Sequence, residues 1–345
     1  MTIQFKTKNE QKIINRPVVA IMILMGGLIA LALALAISVS LGAANIDLHT
    51  VWSAVFRFNP ELTHHQIIYE LRIPRALVGA LVGAGFAVAG SIMQGMTRNP
   101  LAGPDIMGIN AGSGFAIAIA FAFFPGMPYK YLMVFSFIGA AAGAFITYTI
   151  GSMAKGGLTP VRLALAGTAV GTLLGSIASG ISIYFKTAQD VAYWFAGGVA
   201  GSKWFHVQGL LVWVFIGLAV GMILSRSITV LSLGEETAIG LGQNIVLVKT
   251  IGTIVVVILA GAGVSAAGPV AFVGLMIPHI TRFLVGMDYR WIIPCSAVLG
   301  SLFLVSADIL ARMVNPPAET PIGVITALVG VPFFLYLARR NGRDI

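Results

Sequence analysis

The chain has 345 residues, of which 58% are hydrophobic and only 10% are charged, and its mean hydropathy is +0.94. Soluble domains carry about 25% charged residues, so this composition excludes a soluble globular protein and indicates a membrane protein with many spans. The net charge of +9 does not indicate nucleic acid binding, because the basic residues are scattered and form no patch. The single cysteine, Cys295, lies in an apolar stretch, which excludes a disulfide framework or a cysteine-based metal site.

The positions of the charges locate the candidate membrane helices, because a spanning helix needs about 20 mainly apolar residues and tolerates few charges. The window 250–281 would be roughly 48 Å long as one helix, too long for a hydrocarbon core of about 30 Å, and Gly268-Pro269 breaks it. Split there, the windows predict an all-α protein with ten transmembrane helices, and the short eighth window is predicted to extend to Arg312. The charge-free windows are 17–46, 76–97, 106–129, 131–154, 163–185, 204–225, 250–281, 291–307 and 320–338.

The basic residues also predict the orientation of the spans. Ten spans place both termini on one side, and if that side is the cytoplasm, fourteen lysines and arginines lie in inner loops against seven in outer loops. This asymmetry satisfies the positive-inside rule and predicts an N-in, C-in topology. We expect residues 1–345 to form one transmembrane domain, with 1–16 as a cytoplasmic segment before a retained first helix, and 226–249 as a cytoplasmic loop.

The stretch LRIPRALVGALVGAG (71–85) places two arginines at the predicted outer end of the second span. Pro74 suits the first turn of a helix, where its missing N–H costs nothing, and residues three apart lie on about one helix face. Outer basic residues run against the positive-inside bias, so Arg72 and Arg75 are predicted to meet a partner. The alternative is that a neighbouring acid such as Glu70 pairs with one of them.

Two glycine-rich stretches share one pattern, GAGFAVAG at 83–90 and GAGVSAAG at 261–268. They fall in the second and seventh predicted spans, which run in opposite directions. This match favours an inverted repeat of the kind found in many transporters. The alternative is that small residues simply allow membrane helices to pack closely.

Two other classes of membrane protein compete at this point. An intramembrane serine hydrolase would use Ser113, in Gly112-Ser113-Gly114, with His279 as the base, but no third group is present to orient the base. A secondary transporter usually carries ionisable residues in mid-span, and Asp308, near the end of its span, is the only candidate acid. No GxxxxGK[ST] phosphate-binding loop occurs, which excludes ATP hydrolysis by that motif.

The loop RSITVLSLGEETAIGLGQNIVLVK (226–249) is predicted to contain a short cytoplasmic helix at 233–240. Ser232 followed by Glu235 has the spacing of a capping box, and Gly240 and Gly242 supply helix stops. Its apolar residues favour a surface that docks on a protein over a solvated helix. These residues are Leu231, Leu233, Ala238, Ile239 and Leu241.

Four separate stretches carry a resemblance to one transport family. The chain resembles the FecCD-type permease subunits of ABC importers for iron–siderophores, haem and cobalamin, and the resemblance covers nearly its whole length. It implies a non-catalytic permease of the bacterial cell membrane that moves a metal chelate by alternating access at a permease dimer interface, with no cofactor of its own. The stretches are LRIPRALVGALVGAGFAVAGSIMQGMTRNPLAGPDIMGINAGSG (71–114), LSLGEETAIGLG (231–242), GPVAFVGLMIPHITR (268–282) and ADILARMVNPPAETPIGVITALVGVP (307–332).

The resemblance also implies partners and residue roles. Two ATPase subunits, which bind ATP and magnesium, would dock on the cytoplasmic face, a substrate-binding protein outside, and an identical or paralogous permease beside the chain. Arg72, Arg75 and Arg312 match arginines that receive acidic residues of the binding protein, although Arg312 has the alternative of neutralising Asp308 four residues earlier. The ATPase-coupling residues would be Leu233, Gly234, Glu235, Glu236, Ala238, Leu241 and Gly242. The translocation path would be lined by Gly167, Thr168, Gly171, Gly175 and Ser176.

Overall fold

The computed structural model describes residues 16–41, 46–153, 159–315 and 318–341, and within these ranges the chain is helical with no β-strand. Residues 1–15 of the predicted cytoplasmic N-terminal segment lie outside the described residues. A π-turn (Ile68–Arg72) joins α3 to α4, and a 3₁₀ turn (Pro104–Met107) precedes α5. The helices are α1 (Pro17–Ser40), α2 (Leu48–Phe56), α3 (Thr63–Ile67), α4 (Ile73–Thr97), α5 (Ile109–Phe123), α6 (Tyr129–Ser152), α7 (Pro160–Tyr184), α8 (Ala188–Ala196), α9 (Trp204–Leu233), α10 (Glu235–Gly240), α11 (Ile245–Ala267), α12 (Val273–Val285), α13 (Tyr289–Met313) and α14 (Ile322–Asn341).

Each predicted window contains one helix, once the long window is split. Within the described ranges, seven helices are long and apolar enough to cross a membrane, and three apolar helices are shorter, namely α5, α12 and α14. The predicted break is confirmed, because α11 ends at Ala267 and Gly268 has φ of +68°, a conformation that favours glycine. The predicted extension of the eighth window is confirmed as well, since α13 runs from Tyr289 to Met313.

The bundle has two ends, which the contacts between helix termini identify. At one end, which we call the arginine end, Trp204 Nε1 at the start of α9 donates to Tyr69 O at 3.0 Å. At the other, the coupling end, the backbone N of Tyr289 at the start of α13 donates to Thr229 Oγ1 near the end of α9, also at 3.0 Å. The 30 residues of α9 connect the two ends over about 45 Å.

The first and last described helices both reach the coupling end. The backbone N of Arg16, before α1, donates to Val285 O at the end of α12 at 3.1 Å. The backbone N of Thr320, before α14, donates to Ala311 O near the end of α13 at 3.2 Å, so α14 starts at the arginine end and runs away from it. The described chain therefore begins and ends on the same side of the bundle.

Glycines allow the central helix, α4, to touch its neighbours closely. A Cβ added to Gly90 would overlap the carbonyl oxygen of Gly274 in α12, and one added to Gly83 would overlap that of Gly300 in α13. The two matching glycine-rich stretches also contact each other, because Gly263 of α11 packs on the Phe86 ring of α4. The small residues in these stretches therefore provide close packing, and the inverted repeat stays a prediction.

Candidate docking, coupling and translocation surfaces

Arg75, in the first turn of α4, holds two carboxylates at the arginine end. Its Nε donates to both oxygens of Asp308 at 3.1 Å, and its Nη2 donates to Asp308 Oδ1 at 2.8 Å. Its Nη1 donates to Glu319 Oε1 at 2.6 Å. The Asp308 side chain is only 4% exposed, whereas the Glu319 side chain is 45% exposed. The two acids therefore differ, since Asp308 is a buried anchor on α13 and Glu319 is an accessible partner on the α13–α14 loop.

Arg312 and Arg72 both bind the carbonyl groups at the end of α1. Arg312 Nη1 donates to Ser38 O at 3.0 Å and Leu41 O at 2.9 Å, and its Nη2 donates to Ser38 Oγ at 2.6 Å. Arg72 Nη1 donates to Ser40 O at 2.8 Å. The last carbonyls of a helix have no intrahelical partner and carry the negative end of its dipole, so these arginines stabilise the end of α1.

The three arginines lie together at the end of α1, and two of them, Arg75 and Arg312, pair with the buried Asp308. Arg312 Nη2 lies 3.0 Å from Asp308 Oδ2, which confirms the ion pair considered from the four-residue spacing. Arg75 pairs with Asp308 and Glu319 rather than with Glu70. The side chains of Arg75 and Arg312 are 12% and 10% exposed, so they do not project from the protein surface. Their docking role stays a prediction.

The predicted short helix at the coupling end is present, but it begins two residues later than expected. The predicted capping box is wrong, because α9 continues to Leu233 and Ser232 Oγ donates to Thr229 O at 2.6 Å inside that helix. Gly234 separates α9 from α10 with φ of +141°, a conformation open to glycine. The predicted loop 226–249 is likewise too long, because α9 and α11 extend past Arg226 and Lys249 and leave only 234–244 between them.

The stop at Gly242 is confirmed, since this residue has φ of +76° and forms a Schellman motif. Gly242 N donates to Ile239 O at 2.8 Å, and Gln243 N donates to Ala238 O at 2.9 Å. Gln243 Nε2 also donates to Ser227 O of α9 at 2.9 Å, which fixes the exit of α10 against the bundle.

The predicted coupling residues divide into a buried and an exposed group. Ala238 is fully buried against the bundle, so its prediction as part of a docking surface is corrected to an anchoring position. The exposed apolar side chains are Leu233, Ile239 and Leu241. Glu236 is exposed beside them, and Glu235 points back to α11, where Lys249 Nζ donates to its Oε1 at 2.8 Å. This ion pair, which joins α10 to the bundle, was not predicted from the sequence.

The exposed face of α7 carries small hydroxylated residues at three- and four-residue spacing. Thr168 Oγ1 donates to Ala164 O and Thr172 Oγ1 donates to Thr168 O, both at 2.9 Å, so these hydroxyls need no external ligand. Thr172 and Ser179 were not predicted, although they continue the helical spacing from Thr168. The exposed residues of this stripe are Thr168, Thr172, Ser176 and Ser179.

The predicted path glycines do not share one environment. Gly171 and Gly175 are half-buried beside the stripe on α7, and Gly175 has open space where a side chain would project. Gly167 is buried, and a Cβ there would overlap the carbonyl oxygen of Ile106. The prediction that Gly167 lines a path is therefore corrected, because this glycine provides close contact with the 3₁₀ turn before α5.

The pair predicted for a serine hydrolase is not assembled in the part of the chain that the structure describes. Ser113 is fully buried in α5, and its Oγ lies 2.5 Å from Ser136 Oγ of α6. The His279 ring packs on Phe333 of α14 with centroids 5.9 Å apart, and its Nδ1 is buried without a partner. A nucleophilic serine requires a base within hydrogen-bond reach, so Ser113 instead joins two helices.

These features define a polytopic membrane protein with an arginine cluster at one end and a short, partly exposed helix at the other. The FecCD transport family model matches residues 19–340, and the chain belongs to this family. It is therefore a non-catalytic permease subunit of an ABC importer.

Relatives with described transport systems match nearly the full length of the chain. The iron(3+)-hydroxamate import system permease protein FhuB of Bacillus subtilis is 58% identical over 94% of this chain and 85% of its own length. The ferric enterobactin permease protein FepD of Escherichia coli is 37% identical over 80% and 83%. A metal-chelate type ABC transporter, solved in an inward-facing conformation, superimposes with a TM-score of 0.80 at 27% identity over 92% of this chain and 99% of that one.

Proposed function

We propose that this chain forms the membrane path of an ATP-driven importer for ferric siderophores, with ferric hydroxamates as the first substrate class to test. The observation that carries the proposal is the 58% identity to an iron(3+)-hydroxamate permease over 94% of the chain. Cobalamin is a second candidate cargo, since a cobalamin permease of Halobacterium salinarum is 39% identical over 85% of the chain. Haem is a candidate only from the sequence resemblance.

The proposal places the coupling end in the cytoplasm and the arginine end outside a bacterial cell membrane, with ten helices crossing it. The positive-inside asymmetry supports this orientation. The described chain begins and ends at the coupling end, which agrees with an N-in, C-in topology. The three shorter helices are compatible with crossing, because non-helical residues next to them are tolerated at membrane depth where protein surrounds them.

Two ATPase subunits are proposed to dock on the cytoplasmic face of the permease pair, one of them on the exposed side of α10 of this chain. Leu233, Ile239 and Leu241 offer an apolar surface, and Glu236 adds a charge that fixes orientation. Gly234 provides the change of direction that turns α10 across the end of α9. Movement of the ATPases would reach the membrane helices through two connections, the Lys249–Glu235 ion pair and the bond from Gln243 to Ser227.

An extracellular binding protein is proposed to dock at the arginine end. Its carboxylates would form charge-assisted hydrogen bonds with Arg75, flanked by Arg72 and Arg312. These arginines are already held by α1 and Asp308, so their guanidinium groups are fixed before docking. A fixed arginine loses less side-chain entropy on binding than a free one.

A second permease is proposed to complete the path, which would open alternately to each side. The α7 stripe presents hydroxyls whose hydrogen bonds are already satisfied, a surface that lets a polar chelate pass without tight binding. A cavity of about 700 Å³ also opens between α8, the segment before α12, and α14. Its apolar walls would face the partner permease, and they include Phe195, Pro269, Pro321, Val324 and Leu328.

Uptake by the reconstituted complex tests this function. The chain, with the permease, ATPase and binding protein encoded alongside it, is placed in liposomes and supplied with a radioactive ferric hydroxamate. We expect uptake that requires ATP and the binding protein and that is abolished by an inactive ATPase. Uptake driven by a proton or sodium gradient without ATP would overturn the proposal. Asp308 argues against that outcome, because two arginines already neutralise this buried carboxylate.

A further inference from the structure

The ion pair between Arg75 and Glu319 differs from the others in the arginine cluster. Asp308 is buried and bound by both Arg75 and Arg312, whereas Glu319 is 45% exposed and, among the described residues, forms its ion pair with Arg75. Glu319 lies on the α13–α14 loop, not on a helix of the bundle. A carboxylate in this position can leave Arg75 without unpacking any helix.

The geometry of the Arg75 guanidinium shows what an incoming group would meet. A guanidinium has five N–H donors, and its edges match a carboxylate with two parallel bonds. Asp308 occupies the Nε and Nη2 edge, with distances of 2.8–3.1 Å. Glu319 accepts from Nη1 at 2.6 Å, apart from the Nε and Nη2 edge that Asp308 occupies. Nη1 is therefore the donor through which an external carboxylate would reach Arg75, and Glu319 occupies this docking edge.

We propose that Glu319 is an internal, exchangeable carboxylate that occupies the docking edge of Arg75 until an acidic side chain of the extracellular binding protein replaces it. This inference rests on the docking role proposed above. Glu319 would then lower the affinity of the unoccupied transporter for its binding protein. It would also stabilise Arg75 between docking events, because a partly buried guanidinium that lacks some of its partners raises the free energy of the protein.

Charge at the arginine end supports the exchange. Arg72, Arg75 and Arg312 carry three positive charges, and the buried Asp308 contributes one negative charge. With Glu319 in place the cluster has a net charge of +1, and without it the net charge is +2. An acidic partner is therefore attracted more strongly once Glu319 is neutral or displaced.

The test measures the affinity of the binding protein encoded alongside this chain for the complete transporter in lipid nanodiscs. Glu319→Gln keeps the size of the side chain and one accepting oxygen but removes its charge. We expect binding to tighten by about three- to tenfold at low salt, with the difference shrinking at 0.5 M salt because exposed charges are screened. Thr320→Ala, the next residue on the same loop, is the matched control and should leave the affinity unchanged.

Arg75→Gln separates this inference from the docking proposal. If Arg75→Gln does not weaken binding, the docking role itself fails. If Arg75→Gln weakens binding while Glu319→Gln leaves it unchanged or weakens it, docking stands and the exchange is overturned, because Glu319 then only holds the loop in place. Tighter binding of Glu319→Gln together with weaker binding of Arg75→Gln supports the exchange.

Discussion

At the scale of single residues, Asp308 links several helices at the arginine end. Its carboxylate accepts from Arg75 on α4 and from Arg312 on α13, and its side chain is 4% exposed. Arg312 in turn binds the end of α1. One acid therefore connects α1, α4 and α13, so its loss should weaken the packing of all three helices.

Replacing this acid leaves two partly buried arginines without their shared counter-charge. We expect Asp308→Asn to lower stability by about 3–5 kcal/mol, the usual cost of breaking a buried ion pair. A thermal unfolding scan of the purified protein in detergent measures the loss. Glu61→Gln removes an exposed acid of the same end and should leave the transition unchanged. An unchanged transition in Asp308→Asn would show that the cluster does not hold these helices.

The partners of the arginines mark the limit of sequence-based prediction for this site. The pair Arg312–Asp308 follows from helical spacing and was predicted. Asp308 lies 233 positions from Arg75 along the chain, and Glu319 lies 244 positions away. Local patterns give no information on such distances, so the sequence predicted that Arg72 and Arg75 matter but not which groups they bind.

At the scale of elements, the ion pair between Lys249 and Glu235 holds α10 to α11. Both side chains are partly exposed, so its contribution to stability is small, about 1 kcal/mol or less. Its expected effect is on the transmission of movement from the ATPases. We expect Lys249→Met to lower substrate imported per ATP hydrolysed by about two- to fivefold, which corresponds to an energy of that size.

A charge exchange tests whether the pair acts as a unit. The double variant Glu235→Lys with Lys249→Glu should recover part of the coupling that either reversal removes. Glu61→Gln removes an exposed acid at the opposite end of the bundle and serves as the control for charge alone. If Glu235→Lys and Lys249→Glu each import as much substrate per ATP hydrolysed as the wild type, the ion pair has no role in coupling.

The same ion pair predicts a pH dependence for α10. The hydrogen bond from Lys249, with smaller contributions from the charges of Lys249 and Arg98, lowers the pKa of Glu235 below its usual value of 4.5. Because the folded pKa is lowered, the pair stabilises α10 fully above about pH 4.5, and this stabilisation is lost as the pH falls through the folded value. Hydrogen exchange of residues 235–240, corrected for intrinsic rates, should rise below that pH in the wild type but not in Glu235→Gln.

Helix packing gives a second prediction at this scale. Gly90→Ala places a methyl group onto the backbone of Gly274, which cannot move without separating α4 from α12. We expect a loss of about 1–3 kcal/mol, the cost of overpacking a well-filled core, visible as a lower melting temperature. Gly209→Ala in α9 has open space at the same atom and should match or slightly exceed the wild type. Equal melting temperatures for the wild type, Gly90→Ala and Gly209→Ala would show that Gly90 and Gly274 are not in close contact.

The elements themselves were largely predictable, because the absence of charge over about 20 residues is a strong physical constraint in a membrane. The end of α9 and the start of α11 were not predicted correctly, because α9 continues beyond Arg226 and α11 begins before Lys249. Long basic side chains can reach the headgroup region from within a helix, so a charge marks the edge of the hydrocarbon and not the end of the helix. The start of α10 was misplaced for a related reason, because Ser232 bonds within α9 in place of capping α10.

At the scale of the whole molecule, every proposed partner depends on which end faces outward. Accessibility of single cysteines tests this directly, because the one native cysteine, Cys295, is fully buried and its Sγ contacts Ala20 O at 3.6 Å. Cys295→Ser preserves a donor at this position and gives a cysteine-free background. Glu70 and Glu236 are exposed at opposite ends of the bundle and serve as the two reporter positions.

In intact cells, a membrane-impermeant maleimide should label the Glu70→Cys variant and leave the Glu236→Cys variant unlabelled. Permeabilising the cells should make both variants react, because both positions are exposed. α9 separates the two ends by about 45 Å, more than the hydrocarbon core of about 30 Å, so a reagent confined to one side reaches only one of them. The reverse labelling pattern would place the arginine cluster in the cytoplasm, where no extracellular protein could exchange with Glu319, and would move the docking surface for the ATPases outside the reach of ATP.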